Sequence, residues 1–265
     1  MQSCQRGFFR ILLLLIIVLA GGAGVMAYEG NRRLGAAGPQ DEETIVWIER
    51  GDTLGDVADK LVDEGIVGTG DATFFYYYGR AIGLAGELRS GEFVVPAGAS
   101  IAEVTTILRT ADPLLRFVTI PEGRTVAQAI ALLSAAPKLA GQVTVKPAEG
   151  TLLPEPYAYE RGEKRDLVMG RMIEAHDALM AELWPARASG LPFDTPEEAV
   201  ILASIVEKET AVADERPRVA AVFVNRLRKR MRLQSDPTII YGLTGGEPLG
   251  RGIRQSELDN TGNPY

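Results

Sequence analysis

The sequence has 265 residues, of which 46% are hydrophobic, so it can bury one large core or two modest ones and is not disordered as a whole. A formal net charge of −7 argues against a general nucleic-acid binder, because contact with phosphate backbones requires a basic surface. The one cysteine, Cys4, excludes a disulfide framework and a cysteine-based metal site.

Residues 1–28 predict a membrane anchor. Arg6 and Arg10 precede an uncharged apolar run that starts at Ile11 and is near the lower length limit for a spanning helix. The arginines favour a cytoplasmic N-terminus. The alternative is a cleaved signal peptide, because residues 25–27 offer small side chains at cleavage positions, but the run is longer than a usual signal core. In either case the rest of the chain is exported.

Folded structure is expected to begin near Thr44. Before it, residues 29–43 are rich in glycine, alanine and charge without an apolar period, which predicts a flexible spacer. Residues 45–48 are typical of a short strand. Residues 51–53 then supply a turn and a cap for an amphipathic helix over residues 54–61.

Residues 44–110 are predicted to form a small α+β module. Residues 89–96 indicate a turn and a closing strand, and residues 100–108 indicate another capped helix. A strand, helix, helix, strand order with a Gly-Asp-Thr-Leu opening at residues 51–54 resembles LysM domains, which bind glycans containing N-acetylglucosamine. The alternative interpretation of the opening is an ordinary capped turn.

The same order of elements returns further along the chain. Residues 117–120 are typical of a strand. Thr125 is expected to cap a helix that covers residues 126–133. Two copies are too few for a solenoid, so we interpret them as the first elements of two neighbouring domains. The second domain is expected to span residues 111–265.

The strongest helix signal begins at Thr195. Thr195 as N-cap, Pro196 in the first helical position and Glu198 three residues after the cap form a capping box with a proline start. Residues 199–206 are apolar nearly all round, which predicts a helix buried in a core.

Two carboxyl groups end this helix. At 100° per residue, Glu207 and Glu209 are about 200° apart, so one can face a cleft while the other pairs elsewhere. A carboxyl at the end of a buried helix is partly desolvated, the setting that a glycosidic general acid needs. One alternative is a solvated charged helix end. Another, a nucleophilic pair of Ser204 and Lys208, fails on spacing and on missing companion motifs.

A second helix is predicted next, with Asp214 as a cap and Pro217 in the first turn. An apolar stripe at helical spacing covers residues 219–231. Arg226 and Arg230 fall inside this stripe. A cation on a buried face either pairs with a carboxylate, lines a site or extends its stem along the stripe.

A polar loop follows the second helix. Residues 232–238 are dense in hydrogen-bonding groups and lead into a short apolar element that contains Tyr241. Such a loop suits sugar recognition, which combines many neutral hydrogen bonds with an aromatic platform.

Three ordered blocks resemble the YceG-like endolytic murein transglycosylases, also called MltG. The blocks are residues 202–210, 222–227 and 231–242. Residues 149–157 are similar to the family's Glu-Gly block. Here Thr151 and Pro156 depart from the aromatic residue and the threonine that the family pattern leads us to expect.

The resemblance implies an α+β protein with an N-terminal transmembrane helix, a LysM-like module and a catalytic domain. It implies that Glu207 is the catalytic residue of a lytic transglycosylase, a lyase that needs no metal and no cofactor. Including Asn225 from the second block, the expected substrate-binding residues are Asn225, Arg226, Arg232, Gln234, Ser235, Asp236, Thr238 and Tyr241.

The family cleaves nascent glycan strands of peptidoglycan between N-acetylmuramic acid and N-acetylglucosamine, leaving 1,6-anhydro ends. We therefore expect peptidoglycan glycan strands and the membrane as partners, with peptidoglycan synthases as further partners. The expected location is the cytoplasmic membrane, as a single-pass protein with its bulk in the periplasm. The alternative function is a non-catalytic, membrane-tethered glycan-binding scaffold.

The end of the sequence departs from the family pattern. The chain stops at residues 259–265, where the family continues through further blocks. The resemblance therefore implies a catalytic domain that is incomplete at its C-terminus.

Overall fold

The computed structural model describes the backbone of residues 2–260 and 262–263, with side chains beyond the twelfth residue. The predicted basic start of the anchor therefore has no described side chains. Thr261, Pro264 and Tyr265, which belong to the tail compared with the family above, lie outside the described residues. Contacts divide the chain into a first unit that ends at Leu114 and a second unit that starts at the next residue.

The first unit opens with a long helix, α1 (Gln2–Gly35), of 34 residues. Its segment Leu13–Gly35 is long and apolar enough to cross a membrane, with a mean hydropathy of 1.9 and 0% burial. Among the described residues it is the one helix that meets both criteria of length and composition. The predicted N-terminal apolar helix is therefore present.

The predicted flexible spacer is wrong for residues 29–35, which continue α1. Arg32 forms an ion pair of 2.9 Å with Glu29 one helical turn earlier, which supports the helix locally. Leu34 packs against the hydrophobic core of the first unit. Local pairing and this apolar contact stabilise helix where composition alone indicated a mobile segment.

The remaining spacer residues lie along the first unit. The Gly38 amide donates to the Gly98 carbonyl at 3.2 Å, and the Gly98 amide donates to the Gln40 carbonyl at 2.8 Å. The Gln40 side chain also donates to the Pro96 carbonyl at 3.0 Å. A Cβ at Gly38 would lie 2.5 Å from the Ala99 carbonyl oxygen, so only glycine permits this close approach.

The rest of the first unit orders its elements as strand, helix, helix, strand and helix. They are β1 (Thr44–Ile48), α2 (Leu54–Asp63), α3 (Ala72–Ala81), β2 (Gly91–Val95) and α4 (Ile101–Thr110). The strands pair antiparallel, with Thr44 opposite Val95. Leu61, Phe75 and Leu108 are fully buried in the core that these elements share.

The predicted helix starts in this unit are confirmed. Thr53 and Ser100 are the N-caps of α2 and α4, and each forms a capping box with an acidic residue three positions later. These side chains satisfy amide groups that have no partner within the first helical turn.

The second unit continues the mixed α/β architecture. Its elements are β3 (Arg116–Thr119), α5 (Val126–Ala135), β4 (Pro156–Tyr159), α6 (Arg165–Leu183), α7 (Pro196–Glu209), α8 (Arg216–Arg228), α9 (Asp236–Thr244) and α10 (Gln255–Leu258). β3 and β4 pair antiparallel, and one hydrophobic core joins them to α5 and α6. A separate cluster that contains Phe223 joins α7 to α8. The predicted repeat is confirmed, because Thr125 caps α5 directly after β3.

The proline start of α7 is confirmed, whereas its expected burial is not. Thr195 caps the helix in a capping box with Glu198, and Pro196 lies in the first turn. Burial is restricted to Leu202, Ile205 and Val206, and Ile201 is 61% exposed. The helix packs mainly against α8, so one face is buried and the opposite face is exposed.

The expected cap of α8 is wrong. Residues 213–215 form a 3-10 turn, so Asp214 lies inside the turn and the helix begins at Arg216, with Pro217 in its first turn. The Thr210 hydroxyl donates to the Glu215 carboxylate at 3.1 Å. The helix therefore starts one residue later than the capping pattern suggested, with Glu215 in the N-cap position.

Arg165 holds the second unit together at the C-terminal end of α5. Its guanidinium donates to the carbonyl groups of Leu133, Ser134, Ala136, Leu139 and Gly141, at distances from 2.7 to 3.1 Å. The last carbonyls of a helix lack partners within the helix and carry partial negative charge. The first residue of α6 thus fixes the end of α5 and the chain that follows it.

Replacing Arg165 with alanine is expected to lower the free energy of unfolding by about 2–4 kcal/mol, because several half-buried carbonyls lose charged donors. Urea denaturation followed by circular dichroism measures the change. Arg171→Ala is the matched control on the same helix, because Arg171 contacts a single carbonyl, that of Ala158, besides its ion pair with Glu163. An equal loss in both variants would contradict this role of Arg165.

The capping box of α4 predicts a pH-dependent stability. Hydrogen bonds from the Ser100 amide and hydroxyl hold the pKa of Glu103 below its ordinary value of 4.5. A lowered pKa in the folded state stabilises the fold above that ordinary value, and the stabilisation is lost as the pH falls through the lowered pKa.

Glu103→Gln preserves the box geometry and removes the charge. We expect the wild type to be more resistant to urea than this variant at about neutral pH, and the difference to shrink toward about pH 3. Urea midpoints at both pH values test this. A difference that stays constant with pH would rule out the charged form as the source of the stabilisation.

Candidate functional site

The site is built at the C-terminal end of α7, where Glu207 is held by an arginine. Glu207 Oε2 lies 3.0 Å from Arg216 Nη2, and the Glu207 side chain keeps 28% of its surface exposed. Arg216 is the first residue of α8, immediately after the 3-10 turn. The Arg216 Nε is buried and has no hydrogen-bond partner among the residues that the structure describes. The predicted catalytic carboxyl is thus partly shielded from water, oriented and still accessible.

The loop that contains Gly123 lies against the Glu207 side chain. Gly123 has a φ of +70°, a left-handed conformation that favours glycine. A Cβ at this position would lie 3.5 Å from Glu207 Cγ and 3.2 Å from the Cε and Nζ atoms of Lys208. The loop between β3 and α5 therefore lies directly against the end of α7, and a larger residue at Gly123 would crowd the Lys208 side chain and touch that of Glu207.

Glu209 is held by a different partner. The Ser235 hydroxyl donates to Glu209 Oε1 at 2.6 Å, and Ser235 is only 1% exposed. Ser235 occupies the N-cap position of α9, yet its side chain makes no capping bond. Its hydroxyl bonds the carboxylate of α7 in place of the amides of its own helix. The expectation that the two carboxyl groups have separate environments agrees with these contacts.

Arg226 fixes the polar loop from the side of α8. Its Nη1 donates to the Leu233 carbonyl at 2.5 Å and lies 3.3 Å from Gln234 Oε1. Gln234 has a φ of +52°, an unusual backbone conformation for a residue other than glycine. Strained residues of this kind persist where the surrounding contacts determine them, and they are enriched at functional sites. The Gln234 side chain is exposed.

The structure brings most of the predicted substrate-binding residues into one region. Arg232, Gln234 and Asp236 are exposed in the loop and at the start of α9. Thr238 donates to the Ser235 carbonyl at 2.7 Å. Tyr241 is half-buried on α9.

Two of the remaining predicted residues differ from this group. Asn225 is exposed on α8. Ser235 is buried and its hydroxyl is bonded to Glu209, which limits its access to a ligand. Ser235 contacts Glu209 of α7, and Gln234 contacts Arg226 of α8. Glu207 has different neighbours, which are Arg216 and the Gly123 loop.

Sequence reasoning missed Arg216 and the contact of Gly123. The available signal for Arg216 was its position beside Pro217, at the start of a helix connected to α7 by a short turn. Helices joined by a short connection pack as neighbours, so the first residue of one lies near the last residues of the other. Among the described residues, no group of three or more His, Cys, Asp or Glu side chains is arranged to hold a metal ion.

The bond between Glu209 and Ser235 predicts a coupled loss of stability. Ser235→Ala and Glu209→Ala are each expected to lower the free energy of unfolding by about 1–2 kcal/mol, because the remaining partner loses its hydrogen bond. The double variant should lose little more than either single variant, with a coupling of about 1 kcal/mol. Urea denaturation of the four proteins measures this cycle. Ser204→Ala is the control, because this exposed serine bonds within its own helix, and additive losses would contradict the coupling.

Comparisons with known proteins identify the family. The sequence profile of the YceG-like family matches residues 46–265. An endolytic murein transglycosylase from Streptococcus pneumoniae strain D39 is 25% identical over 301 aligned positions, covering 96% of this chain and 53% of that protein. One from Bacillus subtilis is 38% identical over 65 positions, covering 24% of this chain and 18% of that protein.

Among solved structures, a yceG-like protein from Listeria monocytogenes is similar at 22% identity with a TM-score of 0.44, covering 83% of this chain and 81% of that one. The chain spans about half the length of the streptococcal relative, at 53%. Since the family profile covers most of the sequence, including α7, α8 and the loop before α9, the chain belongs to the YceG-like family.

Proposed function

We propose that the protein is an endolytic murein transglycosylase with Glu207 as its acid and base. The observation that carries the proposal is the Glu207 carboxyl, which is 28% exposed and paired with Arg216 at the end of α7. It lies within the segment that matches the family profile, and similar proteins are named endolytic murein transglycosylases. The proposed substrate is the bond from N-acetylmuramic acid to N-acetylglucosamine in nascent glycan strands.

One carboxyl is sufficient for the proposed reaction. Most glycosidases use two carboxyl groups, one of which acts as nucleophile or activates a water molecule. In a lytic transglycosylase, protonated Glu207 gives its proton to the leaving glycosidic oxygen. The 6-hydroxyl of the muramic acid then attacks the anomeric carbon and its proton passes to the Glu207 carboxylate. The bond to the leaving sugar breaks, a 1,6-anhydro ring forms, and Glu207 returns to its protonated form.

Arg216 has a defined role in this proposal. When Glu207 has given up its proton, the carboxylate carries a full negative charge. A guanidinium group fixed nearby stabilises charge that develops during the reaction, because it needs no rearrangement. The same contact restricts the orientation of the carboxyl, and the Gly123 loop limits it from another side.

The polar loop is proposed to bind the sugars. The exposed side chains of Arg232, Gln234, Asp236 and Asn225 are able to form hydrogen bonds with glycan hydroxyl and amide groups. Tyr241 and Thr238 border this group on α9. Ser235 and Arg226, predicted as substrate contacts, are more consistent with a positioning role, since their polar groups bond Glu209 and the loop backbone.

Residues 44–110, within the first unit, are proposed to form a LysM-like module that retains glycan strands. The order of β1, α2, α3 and β2 supports this proposal, together with the capped turn that precedes α2. The catalytic domain is then residues 111–265.

The N-terminal helix is proposed to anchor the protein in the cytoplasmic membrane as a single span, with the bulk of the chain in the periplasm. The span Leu13–Gly35 supports the anchor, and the arginines before it support the orientation. Peptidoglycan synthases are proposed partners, because the substrate is the nascent strand.

The assignment of Glu207 is tested by Glu207→Gln. Loss of a general acid and base typically lowers the rate by about 10²–10⁴-fold. The rate at which anhydro-ended products are released should therefore fall by at least the lower of these factors. The assay incubates the purified chain with uncrosslinked glycan strands and analyses the released ends by mass spectrometry.

Glu197→Gln is the matched control, because Glu197 is an exposed carboxyl in the first turn of the same helix. Activity at the wild-type level in Glu207→Gln would refute the assignment. A wild-type protein that retains glycan strands and releases no ends would favour the non-catalytic scaffold.

A further inference from the structure

The end of α1 is fixed to the rest of the first unit by three contacts. Leu34 packs against the hydrophobic core of the unit. Arg33 forms an ion pair of 3.5 Å with Asp71, the residue before α3. The Arg33 guanidinium also lies 6.0 Å from the ring centroid of Phe74, in the first turn of α3. The start of α3 is therefore attached directly to the helix that leaves the apolar segment.

The length of α1 sets the depth of this contact relative to a bilayer. Tyr28 is the last residue of the uncharged run, and Glu29 follows it. A helix rises about 1.5 Å per residue, so Arg33 lies about 7–8 Å beyond Tyr28 along the axis. The headgroup layer on each side of a bilayer is about 5–8 Å thick. With the uncharged run in the hydrocarbon, Arg33 and the start of α3 lie at the depth of the headgroups.

The composition of α3 suits that depth. Residues 74–78 are five consecutive aromatic residues. Phe74 and Tyr78 stack with ring centroids 6.4 Å apart and pack against the core of the unit. Tyr77 lies one turn after Phe74 and is 64% exposed. Arg80, three residues further on, is also exposed.

Aromatic side chains with a polar tip are enriched at the boundary between membrane and water. Arginine extends its apolar stem along such a boundary and keeps its charge in water. An exposed tyrosine next to an exposed arginine therefore fits a lipid headgroup layer, and both belong to the helix whose first turn contacts Arg33 of α1.

We propose that the exposed face of α3, formed by Tyr77 and Arg80, rests on the phospholipid headgroups of the bilayer that α1 spans. The face is small, and a surface of this size would bind a membrane weakly by itself. The attachment to α1 makes the contact intramolecular, so a high effective concentration compensates for low intrinsic affinity. The first unit is thereby held against the membrane surface.

The test measures the depth of labels in the full chain. Cys4→Ser removes the natural cysteine, and single cysteines are then introduced as Tyr77→Cys, Arg50→Cys and Val18→Cys for labelling with an environment-sensitive fluorophore. The proteins are reconstituted in vesicles of phosphatidylethanolamine and phosphatidylglycerol. These vesicles carry a nitroxide quencher either on the headgroup or deep in the acyl chain.

Arg50 is the matched control, because it is exposed and follows the far end of β1, about 13 Å along the strand from Thr44. We expect the label at position 77 to be quenched by the headgroup nitroxide at least about threefold more than the label at position 50. The label at position 18 should be quenched by the deep nitroxide, because α1 spans the bilayer.

Three outcomes would overturn the proposal. Equal quenching at positions 77 and 50 would show that α3 has no preference for the surface. An unquenched label at position 18 would show that α1 is not inserted. Shielding of the label at position 77 by added glycan strands, with no response to the lipid quenchers, would assign this face to sugar binding.

Discussion

The end of α7 carries two carboxylates on opposite sides, and each is fixed by a residue from a different part of the second unit. Glu207 is paired with Arg216 at the start of α8, whereas Glu209 accepts a hydrogen bond from the buried Ser235. Because a helix separates these positions by about 200°, the two contacts do not compete. One carboxylate is thus bonded to the polar loop, while the other is paired with the start of α8 and keeps 28% of its side-chain surface exposed.

Local signals were sufficient to predict the helix starts of this fold. Thr53, Ser100, Thr125 and Thr195 are N-caps in the positions that the capping pattern indicated, because a cap depends on residues within one turn. The mixed α/β class and the long N-terminal apolar helix also follow from local periodicity. Family membership followed from three ordered blocks, and the family profile confirms it.

The features that the sequence did not predict depend on tertiary contacts. Residues 29–35 are helical because Leu34 packs on a core distant in sequence, and α7 exposes Ile201 because it packs on one face only. Asp214 has the side chain of a cap, yet the preceding turn places the helix start at Arg216. The bonds of Ser235 and Arg226 could not be deduced from residue type, because a serine or arginine in a polar loop is equally suited to a ligand.

The attachment of the end of α1 to the rest of the first unit has a mechanical consequence. A membrane-spanning helix adjusts its tilt to the thickness of the surrounding hydrocarbon. Leu34 and Arg33 join the helix end to the rest of the unit, so if α1 spans a membrane as proposed, a tilt of the helix also tilts that unit. The thickness of the bilayer would then determine the angle between the first unit and the membrane surface.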